Sequence, residues 1–156
     1  GGNSWWENRY KFFFPPYIFD LPRSFGTMDT VATYDKMEAV YWGMKKAIEA
    51  EFPMCRFIAH FSHWYEWGVM CYDRFIIEEK DVPADHHEAV RLYNDIWNVG
   101  MRAALANGGL INEHHGIGIK LGRLMKEQYG PAFKVLQVIK QGLDPNGIMN
   151  PGKAGL

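Results

Sequence analysis

Two runs rich in β-branched and aromatic side chains, residues 55–62 and 68–77, lie on either side of a short polar stretch at residues 63–66. Runs of this length and composition favour β-strands, and a short connection makes neighbouring strands pair antiparallel. The two runs therefore predict a β-hairpin.

A strand and a helix are predicted before the hairpin. Residues 27–34 alternate and are rich in threonine, which is typical of a strand. Asp35 with Glu38 forms a capping-box pattern, and the apolar residues behind it recur at helical spacing. This pattern predicts an amphipathic helix over residues 36–52, ended by Pro53.

The same order is repeated after the hairpin. Asp85 and Glu88 form a second capping box, and the helix that follows is predicted to end at residues 107–109, Asn-Gly-Gly. Residues 110–112 then form a short strand. The order β-α-β-β-α-β predicts an α+β domain of ferredoxin-like pattern, an antiparallel sheet with helices on one face.

The two ends of the chain lie outside this pattern. Residues 5–25 are aromatic and interrupted by Pro15-Pro16, so they predict an extended lead-in. Residues 121–128 predict one C-terminal helix, and Pro131 predicts the start of another. We therefore expect three segments, a lead-in at 1–26, a ferredoxin-like domain at 27–118, and C-terminal helices with a tail at 119–156.

Composition excludes some classes of protein. The 156 residues carry a formal charge of -1, and the pI of about 6.6 gives no basic surface for nucleic acid. No apolar run is long enough for a membrane span. Cys55 and Cys71 have no metal-ligand spacing and are expected to be buried thiols in a reducing, cytoplasmic compartment.

Aromatic residues make up 15% of the chain, and they crowd its first 20 residues and residues 57–75. One interpretation is a domain excised from a larger protein, some of whose aromatics pack on a missing neighbour. The other is a complete small protein with an aromatic-rich core. Composition leaves both open.

The densest polar cluster, residues 112–118, reads Asn-Glu-His-His-Gly-Ile-Gly and follows the last predicted strand. His114 and His115 can donate, accept or carry a proton near neutral pH, and Gly116 lets the backbone approach a flat ligand. Metal binding by nearby histidines is an alternative, although no strong ligand spacing is present. A triad hydrolase and a dinucleotide fingerprint lack their required contexts.

Two further residues are candidates. Tyr72 lies mid-strand, where it is either a packing residue or, beside His114 and His115, an acid or base. Arg9 lies among Trp5, Trp6 and Tyr10, where it either stacks on aromatic rings or grips an anionic substrate group.

Two motifs carry a resemblance to a known family. They are Glu-His-His-Gly-Ile-Gly at residues 113–118 and Ile-Lys-Gln-Gly-Leu-Asp-Pro-Asn-Gly-Ile-Met-Asn-Pro-Gly-Lys at residues 139–153. Together they resemble the C-terminal end of FAD-linked oxidases of the vanillyl-alcohol oxidase type. Within that superfamily, residues 62–72 and 106–109 resemble the alkyldihydroxyacetonephosphate synthase branch.

The resemblance implies site residues. Tyr72 would match the active-site tyrosine, and His114 with His115 would match two of three consecutive histidines near the flavin, where Glu113 replaces the first. Arg9 and His63 would bind substrate, Arg9 through a phosphate. The cofactor would be contacted by Glu113, Gly116 and Asn150.

The resemblance also implies an FAD cofactor held mainly by an upstream domain of the same protein, with this chain as a cap over the isoalloxazine and a homodimer possible. The substrate would be a small hydroxylated or phosphate-bearing molecule. The alternatives are the C-terminal domain of a D-lactate or glycolate-type 2-hydroxy-acid dehydrogenase and a non-catalytic binding module with the cap fold.

The hydroxy-acid dehydrogenases have a metal motif that this chain matches only in part. His63 would match its first histidine, but Met70 or Cys71 stands at the second, and His114 replaces its glutamate. We therefore predict no metal site.

Overall fold

The computed structural model describes residues 2–9 and 24–156, without the side chains of residues 24 and 25. Four strands form one antiparallel sheet in the order β2-β3-β1-β4. They are β1 (Ser24–Thr33), β2 (Cys55–Trp64), β3 (Gly68–Ile77) and β4 (Leu110–Ile111). Helices α2 (Tyr34–Glu51) and α3 (His86–Ala106) connect them, so the predicted mixed class with an antiparallel sheet is confirmed.

The hydrophobic core lies between the two long helices and one face of the sheet. Alternate residues of a strand point to opposite faces, so Cys71, Phe75 and Ile77 of β3 share the helix-covered face and are fully buried. The helices pack closely at Gly100, where a Cβ atom would lie 2.9 Å from the Ile48 Cδ1 atom. The opposite face of the sheet is called the open face below.

Helix boundaries follow the sequence signals in one case and depart from them in another. Asp85 caps α3 as predicted, because its Oδ1 atom accepts a hydrogen bond of 2.9 Å from the Glu88 N–H. The Asp35 capping box is wrong. The chain passes directly from β1 into α2 at Tyr34, with Thr33 at the N-cap, so Asp35 already lies inside the first turn.

The ends of the chain also differ from expectation. Residues 2–8 form helix α1 (Gly2–Asn8), so the extended lead-in is wrong for residues 5–8, where no proline opposes helical geometry. Residues 10–23 of that lead-in lie outside the described residues. At the C-terminus a 3-10 turn precedes α4 (Met125–Tyr129), and α5 (Phe133–Leu143) follows Pro131.

The two cysteines are free and buried, as predicted. Burial raises the pKa of the Cys55 thiol to about 11, and burial also raises the pKa of Cys71. Both thiols are therefore protonated and poorly reactive at neutral pH.

Candidate functional site

The open face carries a polar row across its three long strands. In the strand register, Asp29 of β1 pairs with Tyr72 of β3, which pairs with His60 of β2. Side chains of directly opposed residues lie on the same face of a sheet, and the His60 and Tyr72 ring centroids are 5.0 Å apart. Tyr72 is therefore on the face opposite the helices, and it is not a core residue.

The loop after β4 brings the paired histidines over this row. The His114 ring stacks on Tyr72 at 6.0 Å between centroids, with 23° between the planes. The His115 ring meets Tyr72 edge-on at 5.4 Å, and the two imidazoles are 4.1 Å apart. Three residues predicted from the sequence thus share one place on the open face.

Asp29 anchors this loop, although nothing in its local sequence pattern marks it as a site residue. Its side chain is fully buried, and its Oδ2 atom accepts hydrogen bonds from the backbone N–H of Glu113 and, at 2.8 Å, from that of His114. The His115 Nδ1 atom lies 2.7 Å from the other carboxylate oxygen. A buried carboxylate needs such donors, so the loop and the strand depend on each other.

Glu113 is the centre of a second polar group beside the first. Its carboxylate accepts a hydrogen bond from the Tyr65 hydroxyl and lies 3.1 Å from the His63 Nδ1 atom and 2.6 Å from the His114 Nδ1 atom. The hydrogen bond from Tyr65 is the main cause that lowers the pKa of Glu113, and the contacts with His63 and His114 lower it further. The Tyr65–Glu113 hydrogen bond also raises the pKa of Tyr65. Glu113 is therefore an ionised acceptor within a protein network.

A β-bulge directs His63 into that network. The pairing of β2 with β3 shifts register between Ser62 and Trp64, and His63 has a φ of +46°, in the left-handed region. A bulge inserts one extra residue and re-aims its side chain. The ring of His63 comes to 5.2 Å from that of His114 as a result.

The remaining predicted residues lie in other surroundings. The Arg9 guanidinium stands 3.6 Å over the Trp6 ring, which matches the stacking alternative. Gly116 has a φ of +80°, and an added Cβ atom would meet no atom within 4 Å, so the loop backbone faces open space there. Asn150 lies in the C-terminal tail. Together with Leu143 and Lys153 it lines a surface pocket beside α5.

A surface pocket of about 310 Å³ is lined in part by His115. Its walls include Tyr93 and Trp97 of α3, and the Lys120 Nζ atom lies 4.0 Å from the Trp97 ring and donates to the Tyr93 hydroxyl at 3.0 Å. Lys120 was not predicted as a site residue, because a lone lysine after a glycine-rich loop gives no signal in sequence.

Known proteins identify the family. Residues 21–154 match the family model described as FAD linked oxidases, C-terminal domain. The chain therefore belongs to that family, as the motifs of residues 113–118 and 139–153 predicted.

Curated relatives agree with this assignment. The chain is 29% identical over 131 residues to an uncharacterized FAD-linked oxidoreductase, YgcU, of Escherichia coli, covering 81% of this chain and 27% of that protein. It is 33% identical over 110 residues to a mitochondrial D-lactate dehydrogenase [cytochrome] of Arabidopsis thaliana, covering 70% and 18% of the two chains. The chain thus spans about a quarter or less of the length of these relatives, which are oxidoreductases.

Two further similarities are shorter or weaker. A probable mitochondrial D-lactate dehydrogenase of Danio rerio is 39% identical over 72 residues, covering 46% of this chain and 14% of that protein. A solved alkyldihydroxyacetonephosphate synthase has 22% identity and a TM-score of 0.39, covering 83% and 19% of the two chains. None of the helices in the described part of the chain combines the length and the hydrophobicity of a membrane span.

Proposed function

We propose that this chain is the substrate-side domain of an FAD-dependent oxidoreductase that acts on a small hydroxylated or phosphate-bearing substrate. The proposal rests on the close approach of the Tyr72, His114 and His115 side chains on the open face. Their rings lie within 6.0 Å of one another, and each can exchange a proton. Within the FAD-linked oxidase family, such a surface suits chemistry on a substrate held against a flavin.

The residues present fit a planar cofactor ring. The open face presents flat imidazole and phenol rings, and the backbone at Gly116 and Gly118 has positive φ with open space where a side chain would stand. FAD would supply the electron acceptor, while this chain would orient the substrate and move protons. Tyr72, His114 and His115 would be the proton-moving groups, and Glu113, Gly116 and Asn150 would lie toward the cofactor.

We further propose that residues 27–118 form a ferredoxin-like cap over the flavin ring. The antiparallel strand order β2-β3-β1-β4 with two connecting helices supports this. The FAD itself would be held mainly by another domain of the same protein. Residues 119–156 would pack on that domain, which is supported by exposed apolar side chains on α5 and in the tail, at Val138, Leu143 and Ile148.

Substrate contacts are assigned to His63 and Arg9. His63 lies beside His114 on the open face, which supports its assignment. Arg9 would hold an anionic end of the substrate, and its flat guanidinium suits a phosphate or carboxylate. The guanidinium stacks on the Trp6 ring and donates to the Trp6 carbonyl oxygen, so a substrate anion would bind alongside these contacts.

The test is an absorbance spectrum of the full-length protein, followed anaerobically while candidate substrates are added. We expect the protein to contain a bound flavin. Its visible absorbance band should be bleached by one of two classes of substrate, small 2-hydroxy acids or alkyl glycerone phosphates. Electron transfer to the flavin or a covalent adduct would both bleach it. A full-length protein without flavin would contradict the proposal and favour a binding module, and a flavin that no member of either class bleaches would contradict the substrate assignment.

A second candidate is a metal-dependent 2-hydroxy-acid dehydrogenase. It is favoured by His63, Glu113 and His114, whose ligand atoms lie within 4.8 Å of one another. Two imidazoles and a carboxylate suit a divalent transition metal. Metal analysis of the full-length protein and of its His63→Ala variant tests this second function. Stoichiometric metal in the wild type that is lost in the variant would support a metal-dependent dehydrogenase. An active protein without metal would exclude it.

A further inference from the structure

The Asp29 carboxylate is fully buried beneath the loop that carries the histidines. One of its oxygens, Oδ2, is used by the backbone N–H groups of Glu113 and His114. The other oxygen, Oδ1, has no aligned hydrogen-bond donor among the described residues. A buried carboxylate oxygen without a donor is costly, so a donor within reach is expected to complete the arrangement.

That donor is the His115 Nδ1 atom, which lies 2.7 Å from Oδ1. An unprotonated Nδ1 at this distance would press its lone pair against the lone pairs of a carboxylate oxygen. The short distance is favourable only if Nδ1 carries the proton, and a small rotation of the ring then aligns the bond. In the neutral form of His115 the second nitrogen, Nε2, is left without a proton.

We propose that Asp29 is a positioning residue that fixes His115 as the Nδ1–H tautomer and leaves Nε2 as the nitrogen that exchanges a proton with the substrate. An aspartate that holds an imidazole in one tautomer and orientation is a recurring device of general base catalysis. The role in turnover rests on the proposed function, whereas the tautomer is a property of this chain alone.

The neighbouring histidine is held differently. The His114 Nδ1 atom is 2.6 Å from a Glu113 oxygen and 3.6 Å from the nearer oxygen of Asp29. Each imidazole of the pair therefore has its own carboxylate, which gives the two rings different orientations, 49° apart. Asp29 accordingly acts on the side chain of His115, and on His114 through its backbone.

The substitution Asp29→Asn separates anchoring from tautomer control. The amide oxygen of asparagine can still accept from the N–H groups of Glu113 and His114, so the loop keeps its anchor. The amide NH₂ then faces the His115 Nδ1 atom, which must accept a hydrogen bond and give up its proton. Asp73→Asn is the matched control, because Asp73 is the equally buried aspartate of the neighbouring strand and lies on the helix-covered face of the sheet.

Side-chain ¹⁵N spectra of the full-length protein, labelled only at histidine, report the tautomer. His115→Gln identifies the His115 signals, which are read at the alkaline end of a pH series. We expect a protonated Nδ1 in the wild type and in Asp73→Asn, and a protonated Nε2 in Asp29→Asn. A His115 that is Nε2–H in the wild type, or unchanged in Asp29→Asn, would overturn the assignment.

The kinetics of flavin bleaching by substrate give a second test of the role of Asp29. Asp29→Asn should lower kcat about 100-fold with little change in KM, while Asp73→Asn should leave both within about threefold. A tautomer switch with unchanged kcat would remove Asp29 from the reaction. If the wild type shows the predicted tautomer and no flavin chemistry, the proposed function fails while the Asp29–His115 pair stands.

Discussion

The two faces of the sheet each bury an aspartate, and they do so in opposite ways. Asp29 lies on the open face, where its carboxylate accepts hydrogen bonds from two backbone N–H groups and lies 2.7 Å from the His115 Nδ1 atom. Asp73 lies on the helix-covered face, where, among the described residues, the Thr30 hydroxyl at 2.9 Å and the Cys71 thiol at 3.1 Å donate to it. Burial raises the pKa of Asp73 to about 7.

This contrast shows how one strand pair serves two purposes. On the helix-covered face, close packing leaves room only for weak neutral donors, so an acid there is driven toward its protonated form. On the open face, a loop supplies N–H groups that suit an anion. The difference predicts that changes on the open face alter chemistry, whereas changes on the covered face alter stability.

Tyr72→Phe should reduce turnover more than any other substitution considered below changes stability. Loss of a proton-moving hydroxyl should lower kcat in the full-length enzyme about 1,000-fold, which is about 4 kcal/mol in the activation barrier. The unfolding free energy should change by less than about 1 kcal/mol, because the phenyl ring keeps its contacts. Tyr129→Phe, an exposed tyrosine of α4, is the control. An active Tyr72→Phe enzyme would remove the phenol from the reaction.

A pair of isoleucines tests the faces by stability. Ile77 on the covered face is fully buried, whereas Ile58 on the open face is 40% exposed. Ile77→Ala should cost about 3 kcal/mol of unfolding free energy and Ile58→Ala about 1 kcal/mol, since only the first leaves a cavity. Urea unfolding measures both. Equal losses would mean that the open face is packed as tightly as the core.

The pH dependence of stability tests Asp73. Its pKa is raised from 3.8 to about 7 on folding, so the folded state keeps this proton while the unfolded state has lost it. The contribution of Asp73 to stability is therefore full below about pH 4, is lost as the pH rises through about 7, and then levels off. We expect Asp73→Asn to flatten the profile between pH 4.5 and 8 by about 3 kcal/mol.

Denaturation of the wild type and Asp73→Asn at both pH values measures this difference directly. All other titrating groups are common to the two proteins, so they cancel in the comparison. Identical losses of stability in the two proteins would show that Asp73 is already ionised in the fold and that the two faces treat a carboxylate alike.

Much of the fold follows from local pattern. The hairpin of residues 55–62 and 68–77, the Asp85 cap and the two amphipathic helices are encoded within a few residues of each other, and these predictions are confirmed. The start of α2 was misplaced by two residues because a strand that runs directly into a helix needs no capping box. Helix α1 was not predicted, because the aromatic composition of the segment before Pro15 was interpreted as extended chain.

The site was only half predictable. Tyr72, His114 and His115 carried chemical signals of their own, and their motifs brought them together. Asp29 carried none, because strand alternation does not say that a loop 84 residues away will donate to an aspartate. His63 needed a bulge, whose position depends on the pairing of two strands rather than on either sequence.

An experimental structure of the full-length protein with bound FAD shows whether the open face covers the flavin ring. We expect the isoalloxazine against Tyr72, His114 and His115, with at least one of these side chains within about 4 Å of the ring. A ring bound elsewhere, with the open face turned away from it, would mean that this face is not the cap over the flavin.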